Sequence, residues 1–417
     1  MRLCSPYLFF SLTQENVMPE AVIVAYGRTP IGRANKGSLV DCRPDDLSAL
    51  VIKSVLQRVE KLDPSLIEDI FWGCGQPAGE AGTNIARVAA LIAGVNAPGV
   101  TVNRYCSSSL QSIRMAAHAI KAGEGDVFLA GGVETVSRFK FGVSDGGPAN
   151  PLFDGARGRT GAREAGDQGS WAPGSDLADV YIAMGQTAEN VVEAEGVGRE
   201  EMDMWAVRSQ ERAVAAQERG FFDREIIPVT TPDGTVVTKD DGPRAGTTLE
   251  KLASLKPVFR PNGSVTAGNA CPLNDGAAAV VVMSDTKAKA LGITPIGRFV
   301  SSGVSALNPE IMGLGPIDAS RQALARAGMT IDQIDLVEIN EAFAAQVIPS
   351  AKHLGIDHAK LNVNGGAIAL GHPFGMTGAR IMSTLLNGLE DVGKSFGLET
   401  MCVGGGQGLA MIVERIN

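Results

Sequence analysis

Aromatic side chains are scarce in this sequence: Phe, Trp and Tyr make up 5% of its 417 residues. With few large rings, the core must be filled by aliphatic residues and alanine, and 51 glycines let backbones approach closely. Histidine is rarer still, with four copies. The cysteines, Cys4, Cys42, Cys74, Cys106, Cys271 and Cys402, lie far apart, with no Cys-x-x-Cys pair and no Cys/His cluster. That spacing excludes a zinc-finger type of site and predicts reduced thiols in a reducing compartment. Long apolar runs are missing too: none reaches the ~18–20 residues that span a bilayer. Positive charge is in deficit, 37 Lys plus Arg against 46 Asp plus Glu, for a formal charge of -9. This argues against nucleic acid as the main partner, and leaves room for a local basic patch facing a small polyanion.

What is present is the balance of a soluble globular chain, 44% hydrophobic and 20% charged, long enough for two or three domains. Residues 1–17 are short, apolar and weakly basic, without a convincing cleavage site. They read as an extension (residues 1–18) outside the fold. Thereafter strands and helices alternate. Strands are predicted at residues 21–25, 70–73 and 126–132, and helices at 45–59 and 84–93. This rhythm implies βαβ units and a mostly parallel sheet. Residues 140–173, rich in Gly, Pro, Asp and Arg, read as an extended surface excursion. Residues 184–195 and 199–219, with the PVTTPDG segment, read as a mostly helical insert, closed by a polar stretch at 239–256. Regular α/β then resumes at Ser264 with TAGNACPLNDGAAAVVVMS. Strands are predicted at 295–305 and at 336–339, helices at 317–327 and from 377, and a last strand from Val403. TVNRYCSSSLQSIRMAAHAI has a loose echo in LNVNGGAIALGHPFGMTGARIM, each beginning Val-Asn after a strand and feeding a helix. That points to a duplicated α/β unit.

Residues 101–123 carry the sharpest chemical signal. Leu110, Ile113, Ala117 and Ile120 recur at helical spacing, Gly123 ends the helix, and Cys106 sits at its start. A helix N-terminus favours the thiolate, the nucleophilic form. A buried structural cysteine is the alternative. His372 stands apart from the other histidines, among Gly371, Pro373 and Gly375, where backbone can approach a ligand. His118 reads as packing or solvent-facing, and His353 and His358 as a solvated face. NEAFAAQ places Asn340 and Glu341 after an apolar strand, and MCVGGGQG places Cys402 before three glycines.

Together, VNRYCSSSLQS, GGVETVSR, MGQTAENV, TAGNACPLNDGAA, NEAFAAQ, GGAIALGHPFGMTGAR and CVGGGQGLA resemble the thiolase family, the acetyl-CoA acyltransferases, in the family's order and spacing. The resemblance covers residue 19 to the C-terminus. It implies a thiolase-like α/β fold: two similar mixed-sheet halves in a layered α-β-α-β-α arrangement. The halves would be residues 19–141 with 259–284, and residues 285–417. A loop domain at 142–258 would cover the CoA and acyl site.

By the same resemblance, Cys106 matches the acylated nucleophile and His372 the base that activates it. Cys402 matches a second, acid/base cysteine, and Asn340 the residue holding a catalytic water. Gly404 matches a glycine whose N–H joins that of Cys106 in an oxyanion hole. Glu341 either supports this site by hydrogen bonding or caps the following helix. Arg244 is the candidate for the CoA phosphates, with Lys251 and Lys256 equally readable as a solvated basic face. Met184, Met312 and Phe343 are expected along the acyl and pantetheine channel. Cys271 stands where relatives often carry serine near the pantetheine.

Two departures from the family pattern matter. Ser109 replaces a usual glycine and is tolerable if its backbone is already helical. Ala183 precedes Met184 where short-chain enzymes typically have histidine, which leaves room for a longer acyl group. The implied activity is 3-ketoacyl-CoA thiolysis in fatty-acid β-oxidation, with CoA as co-substrate, no permanently bound cofactor and no metal. A homodimer or homotetramer is implied, and a β-oxidation hydratase/dehydrogenase partner is compatible with it. With no Ser-Lys-Leu terminus and no transit pattern in residues 1–17, cytoplasmic is the default location. Alternatives are a condensing acetoacetyl-CoA thiolase, a ketoacyl synthase, and a non-catalytic acyl-CoA or lipid carrier on the same scaffold.

Overall fold

The computed structural model describes residues 18–166 and 169–417. Cys4 and residues 1–17 of the expected extension lie outside them.

One series of strands crosses the molecule. Its order is Leu336–Ile339, Phe396–Val403, Gln407–Arg415, Gly297–Ala306, Ala21–Arg28, Asn274–Ser284, Val127–Thr135, Asp69–Gly73 and Gly99–Val102. Outward from the middle, both halves repeat one pattern of pairing. Ala21–Arg28 runs antiparallel to Asn274–Ser284, which runs antiparallel to Val127–Thr135. Val127–Thr135 and Gly99–Val102 then flank Asp69–Gly73 in parallel. The other half starts at Gly297–Ala306, antiparallel to Gln407–Arg415, itself antiparallel to Phe396–Val403. Phe396–Val403 pairs in parallel with Leu336–Ile339, whose Val337 bridges in parallel to Leu361. The halves join where Val22 meets Arg298 and Ile23 meets Gly297. This is the duplicated α/β unit that the Val-Asn echo predicts.

The sheet is mixed rather than mostly parallel, and connectivity is the reason. Asn274–Ser284 returns to the N-terminal half after the long insert. Gln407–Arg415 follows Phe396–Val403 through a tight turn, which makes the pair a hairpin and forces it antiparallel. Val403 therefore closes a strand instead of opening the last one. Glu399 and Thr400, buried within Phe396–Val403, break the apolar pattern that would have announced it.

Five layers result. Helices Pro44–Gln57 and Ile85–Ala93 cover the outer face of the N-terminal half around Val51, Ile52, Ile70 and Trp72. Helices Gly315–Ala327 and Ala344–Leu354 cover the other outer face. Between the half-sheets lie helices Ser108–Ala122 and Thr377–Val392, packed on each other. Their shared core includes Leu110, Ile113, Ile120, Ile381, Leu385 and Leu386. Each such side chain contributes ~1.5–3 kcal/mol on burial. Gly378 sets how closely the helices approach, because a Cβ there would lie 2.3 Å from the Leu110 amide nitrogen.

The insert departs from its sequence reading in two places. The excursion contains a helix, Asp154–Glu164, in which Ala156 is the one buried residue. PVTTPDG forms no helix: Val229–Thr230 pairs with Val236–Val237 across an Asp233–Gly234 turn, with Gly234 at φ +89°. Helices Met184–Glu195 and Arg199–Glu218 form as expected. No helix among the described residues is long and apolar enough to cross a membrane.

Candidate active site

The nucleophile turn starts where strand Gly99–Val102 ends. Asn103 Oδ1 accepts the Tyr105 N–H at 2.9 Å, and Tyr105 takes φ +41°. A bulky residue in that region is strained, and the strain directs the chain into the short turn Tyr105–Ser107 that carries Cys106. Cys106 is 8% exposed. Burial pushes its thiol up to about 11, while the Gly404 N–H and its own N–H pull the other way. Position at a helix start therefore does not yield a resting thiolate, because desolvation outweighs the helix end. The thiol must instead hand its proton to a neighbour. Ser109 has helical backbone, so serine is unstrained there, and its Oγ accepts the Ala379 N–H at 2.9 Å. It thereby satisfies an orphan N–H at the start of the facing helix.

His372 is held from three sides. Its backbone N–H donates to Asn274 Oδ1 at 3.0 Å. This contact requires Gly371, at φ +114°, where a Cβ would strike the Asn274 amide at 2.6 Å. Its Nδ1 lies 2.7 Å from Thr377 Oγ1, and that hydroxyl donates its only proton to Pro373 O, also at 2.7 Å. Nδ1 must therefore carry the ring proton and donate, which leaves Nε2 as an acceptor. Asn340 Nδ2 stands 3.3 Å from Nε2. Full burial, with the nearby Arg380 charge, lowers the His372 pKa to about 3, so the ring rests neutral.

Asn340 is fixed through its backbone: its N–H donates to Thr400 O at 3.0 Å, and its carbonyl accepts from Gln346 Nε2 at 2.6 Å. Its Oδ1 is buried without a hydrogen-bond partner among the described residues, and so is free to accept from a small polar ligand. Glu341 does not cap the helix that follows it. Its carboxylate accepts from Trp205 Nε1, Ser209 Oγ, Asn362 Nδ2 and the Ile368 N–H, tying strand, insert and histidine loop together.

Cys402 is fully buried at the end of Phe396–Val403. Burial raises its thiol well above the usual range, with Cys106 and Cys271 near enough to add to the effect. Gly404 begins the turn after this strand, and a strut sets its place: Arg104 Nη1 donates to Gln407 Oε1 at 2.7 Å, and Gln407 Nε2 to Gly404 O at 3.4 Å. Glu134 clamps the two halves. Its buried carboxylate accepts N–H groups from Gly75 (2.8 Å), Gln76 (3.2 Å) and Gly375 (2.9 Å). Burial nonetheless pushes that carboxyl up to about 7.

Cys106, Tyr105, Ala183, Met184, Phe374 and Gly404 line one cleft of about 490 Å3. Phe374 also meets the His372 ring edge-on at 5.1 Å, so a wall of the cleft packs on the histidine. The remaining sequence candidates do not border this cleft. Met312 is core, and Phe343 packs edge-on against Phe259 at 6.2 Å. Cys271 is half-buried, its N–H bonded to Ala342 O at 3.0 Å. Arg244 is exposed, with its backbone N–H on Gln210 Oε1. Lys251 Nζ donates to Gly246 O, and Lys256 is exposed. His118 and His353 are exposed, and His358 stacks edge-on with Trp205. Sequence reasoning missed Thr377, Asn274, Glu134 and the Arg104–Gln407 strut. All five lie inside the quoted motifs. Glu134, Asn274 and the Arg104–Gln407 pair meet partners remote in the chain, and Thr377 meets His372 and Pro373 of its own motif through a turn that spacing does not show.

Comparison with known proteins identifies the family. Residues 21–286 match the thiolase N-terminal domain model and residues 293–415 the thiolase C-terminal domain model. A β-ketoadipyl-CoA thiolase of Acinetobacter baylyi is 44% identical over 409 residues, spanning 96% of this chain and all of that protein. A 3-ketoacyl-CoA thiolase of Shewanella putrefaciens is 44% identical over 411 residues, with the same coverage. The crystal structure of the Bacillus anthracis acetyl-CoA acetyltransferase superposes with a TM-score of 0.81 at 39% identity, covering 96% of this chain and 100% of that one. The chain belongs to the thiolase family.

Proposed function

We propose that the protein is a 3-ketoacyl-CoA thiolase, cleaving 3-ketoacyl-CoA with CoA to acetyl-CoA and a shortened acyl-CoA. His372 Nε2 takes the Cys106 proton as the sulfur attacks the β-keto carbon. The N–H groups of Cys106 and Gly404 hold the oxyanion that forms. As the Cα–Cβ bond breaks, the acetyl-CoA enolate places charge on its thioester oxygen. Imidazolium and a water on Asn340 Oδ1 stabilise that oxygen, and Cys402 protonates the carbon. Cys402 then removes the proton of incoming CoA, whose sulfur takes the acyl group from Cys106, and the released Cys106 sulfur recovers its proton from the His372 imidazolium.

One observation carries this reading: the Thr377 hydroxyl forces the His372 proton onto Nδ1, leaving Nε2 basic and buried beside Asn340. The two relatives named above are called thiolases of 3-ketoacyl thioesters, which supports the substrate class. Ala183 lines the cleft with Cys106, and a small side chain there favours degradation of longer acyl groups, as in fatty-acid β-oxidation, over acetoacetyl-CoA synthesis.

The test is mass spectrometry after incubation with a 3-ketoacyl-CoA. Acyl mass should appear on Cys106, and Cys402→Ala should lose thiolysis of 3-ketoacyl-CoA by at least about a thousandfold. An unlabelled protein, or near-normal thiolysis in Cys402→Ala, rules the mechanism out.

A further inference from the structure

The insert helix Asp154–Glu164 carries Arg157, Arg159 and Arg163. Two of these are engaged within the protein. Arg159 pairs with Asp176 and donates to Leu177 O. Arg163 pairs with Glu193 and donates to Gly169 O. Arg157 differs. Its one polar contact among the described residues is Asp154 Oδ1 at 3.3 Å, an exposed i,i+3 pair that contributes little in water. Yet Arg157 lines the same cleft as Cys106. A permanent charge with most of its N–H donors unengaged thus borders the cleft that reaches Cys106.

The other walls sharpen the contrast. Val180, Ile182 and Met184 are apolar and suit methylene groups near the sulfur. Asp145 also lines the cleft; Gln76 Nε2 donates to its carboxylate at 2.6 Å, which fixes its position and leaves its charge in place. An acyl chain ending in methyl would strip water from Arg157 and offer nothing in return. A chain ending in carboxylate can form paired, charge-assisted hydrogen bonds with the guanidinium.

We propose that Arg157 is a specificity-determining residue that receives a carboxylate at the far end of the acyl chain. The favoured substrates are then 3-ketoacyl-CoA thioesters of dicarboxylic acids, an inference that rests on the thiolase reading above. Because Arg157 stays partly wet in the free protein, the preference over an equally long methyl-ended chain should be about fivefold to fiftyfold in kcat/KM.

The test compares thiolysis of two six-carbon 3-ketoacyl-CoA substrates, one ending in carboxylate and one in methyl, by the full-length protein and by Arg157→Gln and Arg157→Lys. The wild type should favour the carboxylate. Arg157→Gln should bring the ratio near one, chiefly through KM, and Arg157→Lys should keep part of it. The wild-type ratio should also shrink with added salt. A wild type that cleaves both substrates equally, or a ratio that Arg157→Gln leaves in place, overturns the assignment of Arg157 while the thiolase reading stands. Failure to cleave either substrate overturns both.

Discussion

Helix Ser108–Ala122 begins two residues after Cys106, and helix Asp154–Glu164 brings Arg157 to the same cleft. The first has ten of its 15 residues buried, and the second has one of its 11. The first touches its partner helix so closely that Gly378 admits no Cβ, whereas nothing lies within 4 Å of a Cβ built on Gly158 or Gly161 of the second. Groups that must meet to within a fraction of an ångström, the sulfur and its N–H donors, sit where packing allows one arrangement. The group proposed to choose among substrates sits on a helix held by surface ion pairs. Substitutions there should alter what is bound without disturbing the chemistry, and substitutions in the seam should do the reverse.

Four experiments break or sharpen that contrast, from the largest effect to the smallest. Gly378→Ala drives a methyl group into the Leu110 backbone, which cannot swing aside. It should cost at least ~3 kcal/mol and can prevent folding, as read by denaturant titration. A wild-type midpoint would mean that the central helices are free to separate. Gln407→Ala removes the strut between Arg104 and the Gly404 carbonyl. It should lower kcat by about tenfold to a hundredfold with little change in KM, and Gln407→Glu, which keeps the Arg104 partner but cannot donate to the Gly404 carbonyl, should recover none of the loss. An unchanged kcat would show that the turn sets Gly404 unaided.

The third experiment concerns protonation. With the Cys106 thiol near 11 and His372 near 3, the resting pair is neutral. The thiolate fraction, and with it alkylation of Cys106 by iodoacetamide, should rise about tenfold per pH unit from 7 to 9. A plateau in that range would signal a preformed thiolate–imidazolium pair. The smallest effect is expected on the insert: Gly158→Ala, in an open helical position, should stabilise by ~0.5–1 kcal/mol. Destabilisation there would show that the insert helix is packed as tightly as the seam.

Much of the molecule was legible before its structure. Leu110, Ile113 and Ile120 announce a buried helix by their spacing, and all three are buried in one. The motif around His372 isolates one histidine of four, and it is the one in the buried site. Strand Phe396–Val403 was missed because Glu399 and Thr400 interrupt its apolar run. The helix in the excursion was missed because its glycines and charges speak against helix, and its ion pairs with Asp176 and Glu193 come from later in the chain.

Local order alone determined which residues carry reactive groups, where helices start and stop, and that one α/β unit occurs twice. Those properties depend on side-chain type and on neighbours a few residues away. Only the tertiary structure decided the protonation states and the partners. Cys106 rests as a thiol because the fold removes it from water, against the pull of its helix end. His372 is a base at Nε2 because Thr377 occupies Nδ1. Ser109 is accommodated because a helix from the other half supplies an N–H for its hydroxyl. Desolvation and hydrogen-bond geometry depend on how the backbone is folded, over 270 residues for Ser109 and Ala379 and through a turn of five for His372 and Thr377, and spacing alone does not record either.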